Sequence, residues 1–111
     1  MSDSIQKLTE EIISYRDERD WKQFHTPKNM AANISVEAGE LLEHFRWSEH
    51  PDNPVAMREE AADVLYALLL FAHDAGFDIA AELRSKLDKN AAKYPVEKVK
   101  GKHHKYDHYE K

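Results

Sequence analysis

Four acidic residues occur as two pairs with the same spacing, and these residues are the best suited in the sequence to do chemistry. Glu37 and Glu40 are three positions apart in a helix-like segment, and Glu60 and Asp63 repeat that spacing where the most apolar run of the chain, 61-AADVLYALLLFA-72, begins. Residues at i and i+3 lie on the same face of a helix. If the two helices pack side by side, they direct four carboxylates at one point.

Acids on a helix are usually a solvated face, but the apolar flanks of Asp63 argue against that interpretation here. A buried carboxylate is costly unless a positive charge compensates it. No Lys or Arg lies on the same stripe of either helix, so a divalent cation is the natural partner. Ligands that are all oxygen favour Mg²⁺, or Mn²⁺, over zinc. A di-iron bundle would need Glu-x-x-His pairs, and none of the seven histidines follows a Glu by three residues.

Proline, glycine and capping residues divide the chain into four predicted helices, over residues 4–19, 27–47, 54–75 and 79–93. Thr26-Pro27 and Asn53-Pro54 each combine a capping side chain with a proline at the first helical position. Gly76 is typical of a helix C-terminus and Asp78 of a helix start. No segment alternates as a strand does. The sequence therefore predicts an all-α, four-helix bundle-like domain over residues 1–95 and a polar, loose tail over 96–111.

Bulk composition limits the classes of protein to consider. The chain has 111 residues and a formal net charge of −5, which suits one domain and argues against binding a nucleic-acid polymer. It contains no cysteine, so disulfides and thiol catalysis are excluded. The polar N-terminus is not that of a signal peptide, and no apolar stretch is long enough to span a bilayer. A cytoplasmic protein without a membrane partner is the expectation.

Taken together, the two acidic pairs resemble the metal-binding signature of the MazG-like nucleoside triphosphate pyrophosphohydrolases. Further stretches are similar to the dCTP pyrophosphatase branch of that family, in order and over roughly residues 16–106: 18-ERDWKQFHTPKN-29, 36-VEAGELLEHFRW-47, 59-EEAADVLYAL-68, 85-SKLDKNAAKYP-95 and 101-GKHHKY-106. The resemblance implies an all-α enzyme that uses Mg²⁺ to split a (d)NTP, here dCTP or a related pyrimidine nucleotide, into the monophosphate and pyrophosphate. It also implies a homodimer or homotetramer with the active site near the subunit interface.

The resemblance also implies roles for individual residues. The metal ligands would be Glu37, Glu40, Glu60 and Asp63. Apart from the resemblance, a carboxylate of this group or beside it is expected to accept the proton of the attacking water, with Glu40 and Glu60 as equal candidates. The substrate-binding residues would be Trp21, Lys22, Gln23, Phe24, His25, Trp47, Lys86, Asn90, Lys93 and Tyr94. Trp side chains stack well on bases, and the spacing of Lys86, Asn90 and Lys93 places two cations and an amide on one helix face. Core packing for the tryptophans and solvation for the lysines are the competing interpretations.

Two positions depart from the vertebrate-type pattern. Where those members have a His in the first helix and a Tyr one turn after the metal-binding Asp, this sequence has Ile12 and Ala67. Both are expected to face the base, so the pocket should be roomier and selectivity for cytosine is in doubt. Glu43 is expected to pair with Arg46 or a lysine rather than with the metal.

Three alternatives remain open on the sequence. The dipeptide His73-Asp74 resembles that of the HD phosphohydrolases, although it lies at a helix end. A helical oligomer that binds nucleotide without hydrolysing it would share the same composition. A transition-metal site in the tail is the third, formed by His103, His104 and His108.

Overall fold

A computed structural model describes residues 4–102, and within that range the chain forms helices, turns and loops without a strand. The elements are α1 (Ile5–Glu18), a 3₁₀ helix (Lys22–Phe24), α2 (Pro27–Glu43), α3 (Pro54–Ala75), α4 (Ile79–Lys93) and α5 (Val96–Val99). The all-α prediction is confirmed. No single described helix is long and apolar enough to cross a membrane, although α3 and α4 taken together, with the break between them, reach that length and composition.

The predicted helix starts are confirmed by their capping hydrogen bonds. The side chains of the three predicted caps each accept a backbone N–H three residues on, at 3.1 Å: Thr26 from Asn29, Asn53 from Ala56 and Asp78 from Ala81. These bonds satisfy donors that the first helical turn leaves without partners. At the end of α3, Gly76 adopts a left-handed conformation with φ of 80°, which costs glycine nothing. The two pairs of cap and proline therefore set where α2 and α3 begin.

Helix α2 ends four residues earlier than the predicted residue 47. It stops at Glu43, and the N–H groups of Phe45 and Arg46 bond back only three residues, to Leu42 and Glu43. The carbonyl of His44 then accepts the N–H of Asp52 at 2.9 Å, so it is not available to extend the helix. Trp47 therefore lies in the following loop rather than on the helix.

The residues up to Phe77 form one compact unit, which contains α1, α2 and α3. In this unit α3 packs mainly against α2 and, over a smaller area, against α1. The centre of the core is Met30, Ala67 and Leu70, which are at most 2% exposed. Five partly buried side chains surround it: Ile12, Ile13, Ile34, Tyr66 and Phe71. The core thus lies where all three helices meet.

The apolar side chains at positions 34, 38, 41, 42 and 45 have the helical spacing that predicts a core stripe, but they are only partly buried. Ile34 and Leu41 are half-buried, but Ala38 is exposed, Leu42 is 71% exposed and Phe45 is 36% exposed. Met30 and Ile34 contribute to the core from α2, and Glu37 is half-buried. Part of the predicted apolar stripe is therefore left on the surface of this chain.

The second compact unit comprises residues 78–111, of which the structure describes α4 and α5. Helix α5 is a correction to the predicted loose tail. Its single turn forms because the carbonyl of Pro95 accepts the N–H groups of Lys98 and Val99, at 2.9 and 3.1 Å.

Candidate active site

Three carboxylates converge where α2 packs on α3. Glu37, Glu60 and Asp63 each offer an oxygen within 4.8 Å of the other two. The first comes from α2 and the others, one turn apart, from α3. Glu37 and Glu60 are half-buried, whereas Asp63 is exposed despite its apolar sequence neighbours. The two acidic pairs therefore do meet at one point, at the edge of the core rather than inside it.

Glu40 lies beside this three-carboxylate group but is not one of its members. Its side chain is exposed and is close enough to Glu37 and Glu60 to hydrogen-bond either of them when that neighbour is protonated. One turn of α2 separates Glu40 from Glu37. The predicted quartet is thus three converging carboxylates with a fourth as neighbour.

Electrostatics show that the group lacks positive charge. Burial, reinforced by repulsion from Glu40 and Asp63, raises the pKa of Glu37 from 4.5 to about 6. Burial and Glu40 also raise the pKa of Glu60, and only His44 opposes that shift. One carboxylate oxygen of each, Oε2, is buried without a hydrogen-bond partner. Buried oxygens without partners in an all-oxygen group fit a hard divalent cation, for which they would be ligands.

An aromatic pocket adjoins the three-carboxylate group and shares Asp63 with it. Its volume is about 450 Å³, and it is lined by Glu11, Ile12, Tyr15, Trp21, Asp63 and Tyr66. Tyr15 contacts Trp21 and Tyr66 edge to face, with ring centroids 5.8 and 6.2 Å apart. The guanidinium of Arg19 lies 3.8 Å from the ring centre of Tyr15 and holds it from the other side. The pocket therefore has ordered aromatic walls and an acidic edge.

The structure corrects one of the two residues expected to face the base. Ile12 does line the aromatic pocket, but Ala67 is fully buried in the core against Met30 and Leu70. The neighbouring Tyr66 lines the pocket instead. Helical residues one position apart point about 100° away from each other, so a shift of one residue moves the tyrosine to another face. Because Tyr66 supplies an aromatic ring, Ala67 is no longer a reason to expect a roomier pocket.

Trp47 lies in a different pocket from Trp21. It is 80% exposed and lines a more polar cleft of about 590 Å³, on which Glu40, His44 and Glu60 also border. The three-carboxylate group borders both pockets, through Asp63 on the aromatic pocket and Glu60 on this cleft. Within one chain, Trp21 and Trp47 therefore line different pockets. Whether Trp47 contacts the base stays a prediction.

The segment between α1 and α2 carries four more of the expected substrate-binding residues besides Trp21. Lys22 and Phe24 are exposed, the latter by 63%. Gln23 donates to the backbone carbonyl of Asp20 at 2.9 Å and to its carboxylate at 3.1 Å, which closes the turn. The half-buried His25 keeps a buried Nδ1 without a partner. Their contact with substrate stays a prediction.

The remaining expected substrate-binding residues belong to the second compact unit. Lys86 and Lys93 are exposed on α4, and Asn90 is half-buried. Tyr94 follows the helix and donates its N–H to the carbonyl of Asn90 at 2.8 Å. Their predicted role as phosphate and sugar ligands is untested.

Several alternatives are resolved by the contacts. Glu43 pairs with Arg46 at 3.6 Å, as predicted, although both side chains are exposed and the pair adds little stability. Asp74 of the HD dipeptide binds Arg16 at 2.7 Å, and that guanidinium is 1% exposed. Asp74, the acid that an HD metal site would need, is thus engaged in a structural ion pair with Arg16. The tail histidines at 103, 104 and 108 lie outside the described residues.

Sequence reasoning missed three lining residues of the aromatic pocket: Glu11, Tyr15 and Tyr66. The first two are four residues apart on α1 and line the pocket together with Ile12. Which side of α1 faces α3 depends on tertiary packing, so only the spacing could have drawn attention to them.

Comparison with known proteins gives concordant results. The chain is 34% identical to dCTP pyrophosphatase 1 of Rattus norvegicus and 33% identical to that of Homo sapiens, in each case over 94% of this chain and 65% of the relative. The chain thus spans just under two thirds of the length of these curated relatives. The crystal structure of a pyrophosphatase from Archaeoglobus fulgidus DSM 4304 matches with a TM-score of 0.76 and 35% identity, over 86% of this chain and 95% of that one.

The family model that matches is the MazG-like family, over residues 32–108. The match includes all three residues of the three-carboxylate group. The chain belongs to the MazG-like family.

Proposed function

We propose that this protein is a metal-dependent nucleoside triphosphate pyrophosphohydrolase, which converts a (d)NTP to the monophosphate and pyrophosphate. The proposed substrate is dCTP or a related pyrimidine nucleotide, as the names of the relatives suggest. The observation that carries the proposal is that Asp63 belongs both to the three-carboxylate group and to the lining of the aromatic pocket. A base held in that pocket would have its phosphates next to the carboxylates.

Glu37, Glu60 and Asp63 are the proposed ligands of Mg²⁺, with Mn²⁺ as a substitute. Their oxygens already converge, and the buried Oε2 atoms of the two glutamates have no other partner. When bound, the ion supplies positive charge for the phosphate oxygens and makes a water molecule more acidic. The ion would also remove the mutual repulsion that raises the pKa of both glutamates.

Glu40 is the proposed acceptor of the proton from the attacking water. It adjoins Glu37 and Glu60 yet lies outside the converging group, so its lone pairs are not needed as metal ligands. A metal-bound carboxylate such as Glu60 is a weaker base, which argues against the other candidate. The water oxygen forms a bond to the α-phosphorus, the bond from that phosphorus to the bridging oxygen breaks, and pyrophosphate leaves with the bond electrons.

A second copy of the chain is the proposed partner. Val36, Leu42 and Phe45 are 57%, 71% and 36% exposed on or just after α2, and large apolar side chains grouped on a surface indicate an interface. Such an interface lies on the helix that carries Glu37 and Glu40, so the active site would be close to it. A homodimer or homotetramer fits this surface.

The test is release of pyrophosphate from a panel of canonical and modified dNTPs, with Mg²⁺ and with EDTA. We compare the wild type, Glu37→Gln and the matched control Glu59→Gln, which removes an exposed carboxylate next to Glu60. The expected result is release that needs Mg²⁺, falls at least about a hundredfold in Glu37→Gln and is retained in the control. Binding of nucleotide with no release from any triphosphate would instead identify a nucleotide-binding oligomer.

A further inference from the structure

The aromatic pocket has one charged residue that the proposed chemistry does not use. Glu11 lines the pocket with Tyr15, Trp21 and Tyr66, but it is not a member of the three-carboxylate group. Within residues 4–102 it has no hydrogen-bond or ion-pair partner, whereas the adjacent Glu10 bonds to Gln6 at 3.5 Å and lines neither pocket. A carboxylate without a partner at the edge of a ligand pocket is available to the ligand.

Among residues 4–102, no Lys, Arg or His lines this pocket. The carboxylate of Glu11 can only accept hydrogen bonds. A ligand edge that carries an amino group would donate to it, whereas an edge that carries a carbonyl oxygen would place lone pairs against it. The pocket therefore distinguishes donors from acceptors at the edge of whatever its aromatic walls hold.

The walls around Glu11 suit a flat ring. Aromatic side chains provide stacking surface for any base and do not read its identity, so a polar group must supply the discrimination. Burial raises the pKa of Tyr66, so its hydroxyl stays protonated and adds no second negative charge. Glu11 is then the charged lining residue outside the three-carboxylate group. Whether it receives a hydrogen bond depends on the substituents of the base.

We propose that Glu11 is a specificity-determining residue, which accepts a hydrogen bond from the exocyclic amino group of the nucleobase. This proposal rests on the proposed function, because it requires a nucleotide in the aromatic pocket. It predicts a preference for bases with an amino group, cytosine or adenine, over their oxo counterparts, uracil or hypoxanthine. A site built to pair with a donor rejects the analogue that lacks it, because the acceptor is then left unpaired.

The experiment measures kcat and KM on two matched pairs, dCTP against dUTP and dATP against dITP. Each pair differs in an amino or an oxo group at one ring carbon and in the proton that the adjacent ring nitrogen carries in the oxo form. A hydrogen bond to a charged acceptor corresponds to a preference of about tenfold or more in kcat/KM for the amino member of the pairs that the enzyme hydrolyses. In Glu11→Gln, whose amide can donate as well as accept, the preference should fall toward unity, mainly through KM. The control Glu10→Gln should keep the wild-type preference.

Two results would overturn the proposal while leaving the proposed function intact. One is equal kcat/KM for the amino and oxo members in the wild type. The other is a loss in Glu11→Gln that is the same for all four nucleotides, since that pattern belongs to a residue of the chemistry or of the fold. The absence of pyrophosphate release from every nucleotide by the wild type would be the separate failure of the proposed function.

Discussion

Glu37 and Glu40 are one turn apart on α2, yet their environments differ. Glu37 is half-buried, has an oxygen without a partner and belongs to the three-carboxylate group, whereas Glu40 is exposed beside it. This difference in environment is the basis of the two proposed roles, with Glu37 as a metal ligand and Glu40 as the proton acceptor.

The first prediction separates these two roles. Glu37→Gln should weaken Mg²⁺ binding by at least about tenfold, because it removes a charged ligand. Glu40→Gln should keep Mg²⁺ affinity close to that of the wild type while kcat falls about a hundredfold or more. Titration calorimetry with Mg²⁺, together with kcat for each variant, measures both. An equal loss of Mg²⁺ affinity in Glu40→Gln would make Glu40 a fourth metal ligand.

The second prediction concerns pH. The pKa of Glu37 is about 6 in the folded state, above its usual 4.5, so the folded protein binds more protons than the unfolded chain between these values. In EDTA, the wild type should therefore lose stability relative to Glu37→Gln as pH rises from about 4.5 to about 6. With Mg²⁺ present, binding should weaken below about pH 6, since protons compete for the same oxygens. Melting temperatures over this pH range test both statements, and parallel profiles for the two proteins in EDTA would contradict the first.

At the scale of the elements, α1 is the helix whose placement matters most for the aromatic pocket. It supplies Glu11, Ile12 and Tyr15 but packs on α3 over a smaller area than α2 does. Arg16 is 1% exposed, and its Nη1 lies 2.7 Å from Asp74 near the end of α3. This buried ion pair fixes α1 against α3.

The third prediction is that breaking this pair on one side is costly. Arg16→Met should lower the free energy of unfolding by about 3 kcal/mol, because Asp74 is left mostly buried without its partner. The double variant Arg16→Met/Asp74→Leu should regain part of that loss, since no charge is then buried alone. Urea unfolding of both variants measures this. If the double variant is destabilised by the sum of the two single changes, the ion pair is not the cause.

Local chemistry made the starts of the helices predictable. The face that each helix directs toward the core was not predictable in this way. Thr26, Asn53 and Asp78 cap as expected because capping depends on residues within one turn. The end of α2 depends on the distant N–H of Asp52, and the apolar pattern through Phe45 gives no sign of it. The sequence-based prediction therefore placed the end of α2 too late in the chain.

The candidate site, like the helices, was predictable only where it depends on local spacing. The spacing of the acids predicted their convergence, because i and i+3 share a face wherever the helix packs. The choice between Ala67 and Tyr66 as a pocket residue depends on the rotation of α3 against its neighbours, which an ungapped comparison of positions does not contain. A single residue of offset decides whether a side chain enters the core or the pocket.

For the whole molecule, exposed apolar surface is the main unexplained feature of a single chain. Leu42 is 71% exposed and Phe45 36% exposed, next to α2 positions that were expected in the core. Burying such side chains contributes roughly 1.5–3 kcal/mol each, which is the gain that a second copy would supply.

The fourth prediction follows from this surface. Sedimentation should show a dimer or tetramer for the wild type, and Leu42→Glu should shift it toward the monomer, because a buried charge at the interface is costly. Glu10→Lys, at an exposed position on α1, is the control and should keep the wild-type state. A monomeric wild type, or an assembly unaffected by Leu42→Glu, would exclude this face as the interface.

In the proposed mechanism, the three-carboxylate group directs water to the α-phosphorus of a nucleoside triphosphate. Hydrolysis of dCTP with Mg²⁺ in water enriched in heavy oxygen, with both products analysed by mass spectrometry, tests this step. Attack at the α-phosphorus predicts equal amounts of dCMP and pyrophosphate, with the heavy oxygen in dCMP. Formation of dCDP and phosphate, or heavy oxygen in the pyrophosphate, would contradict it.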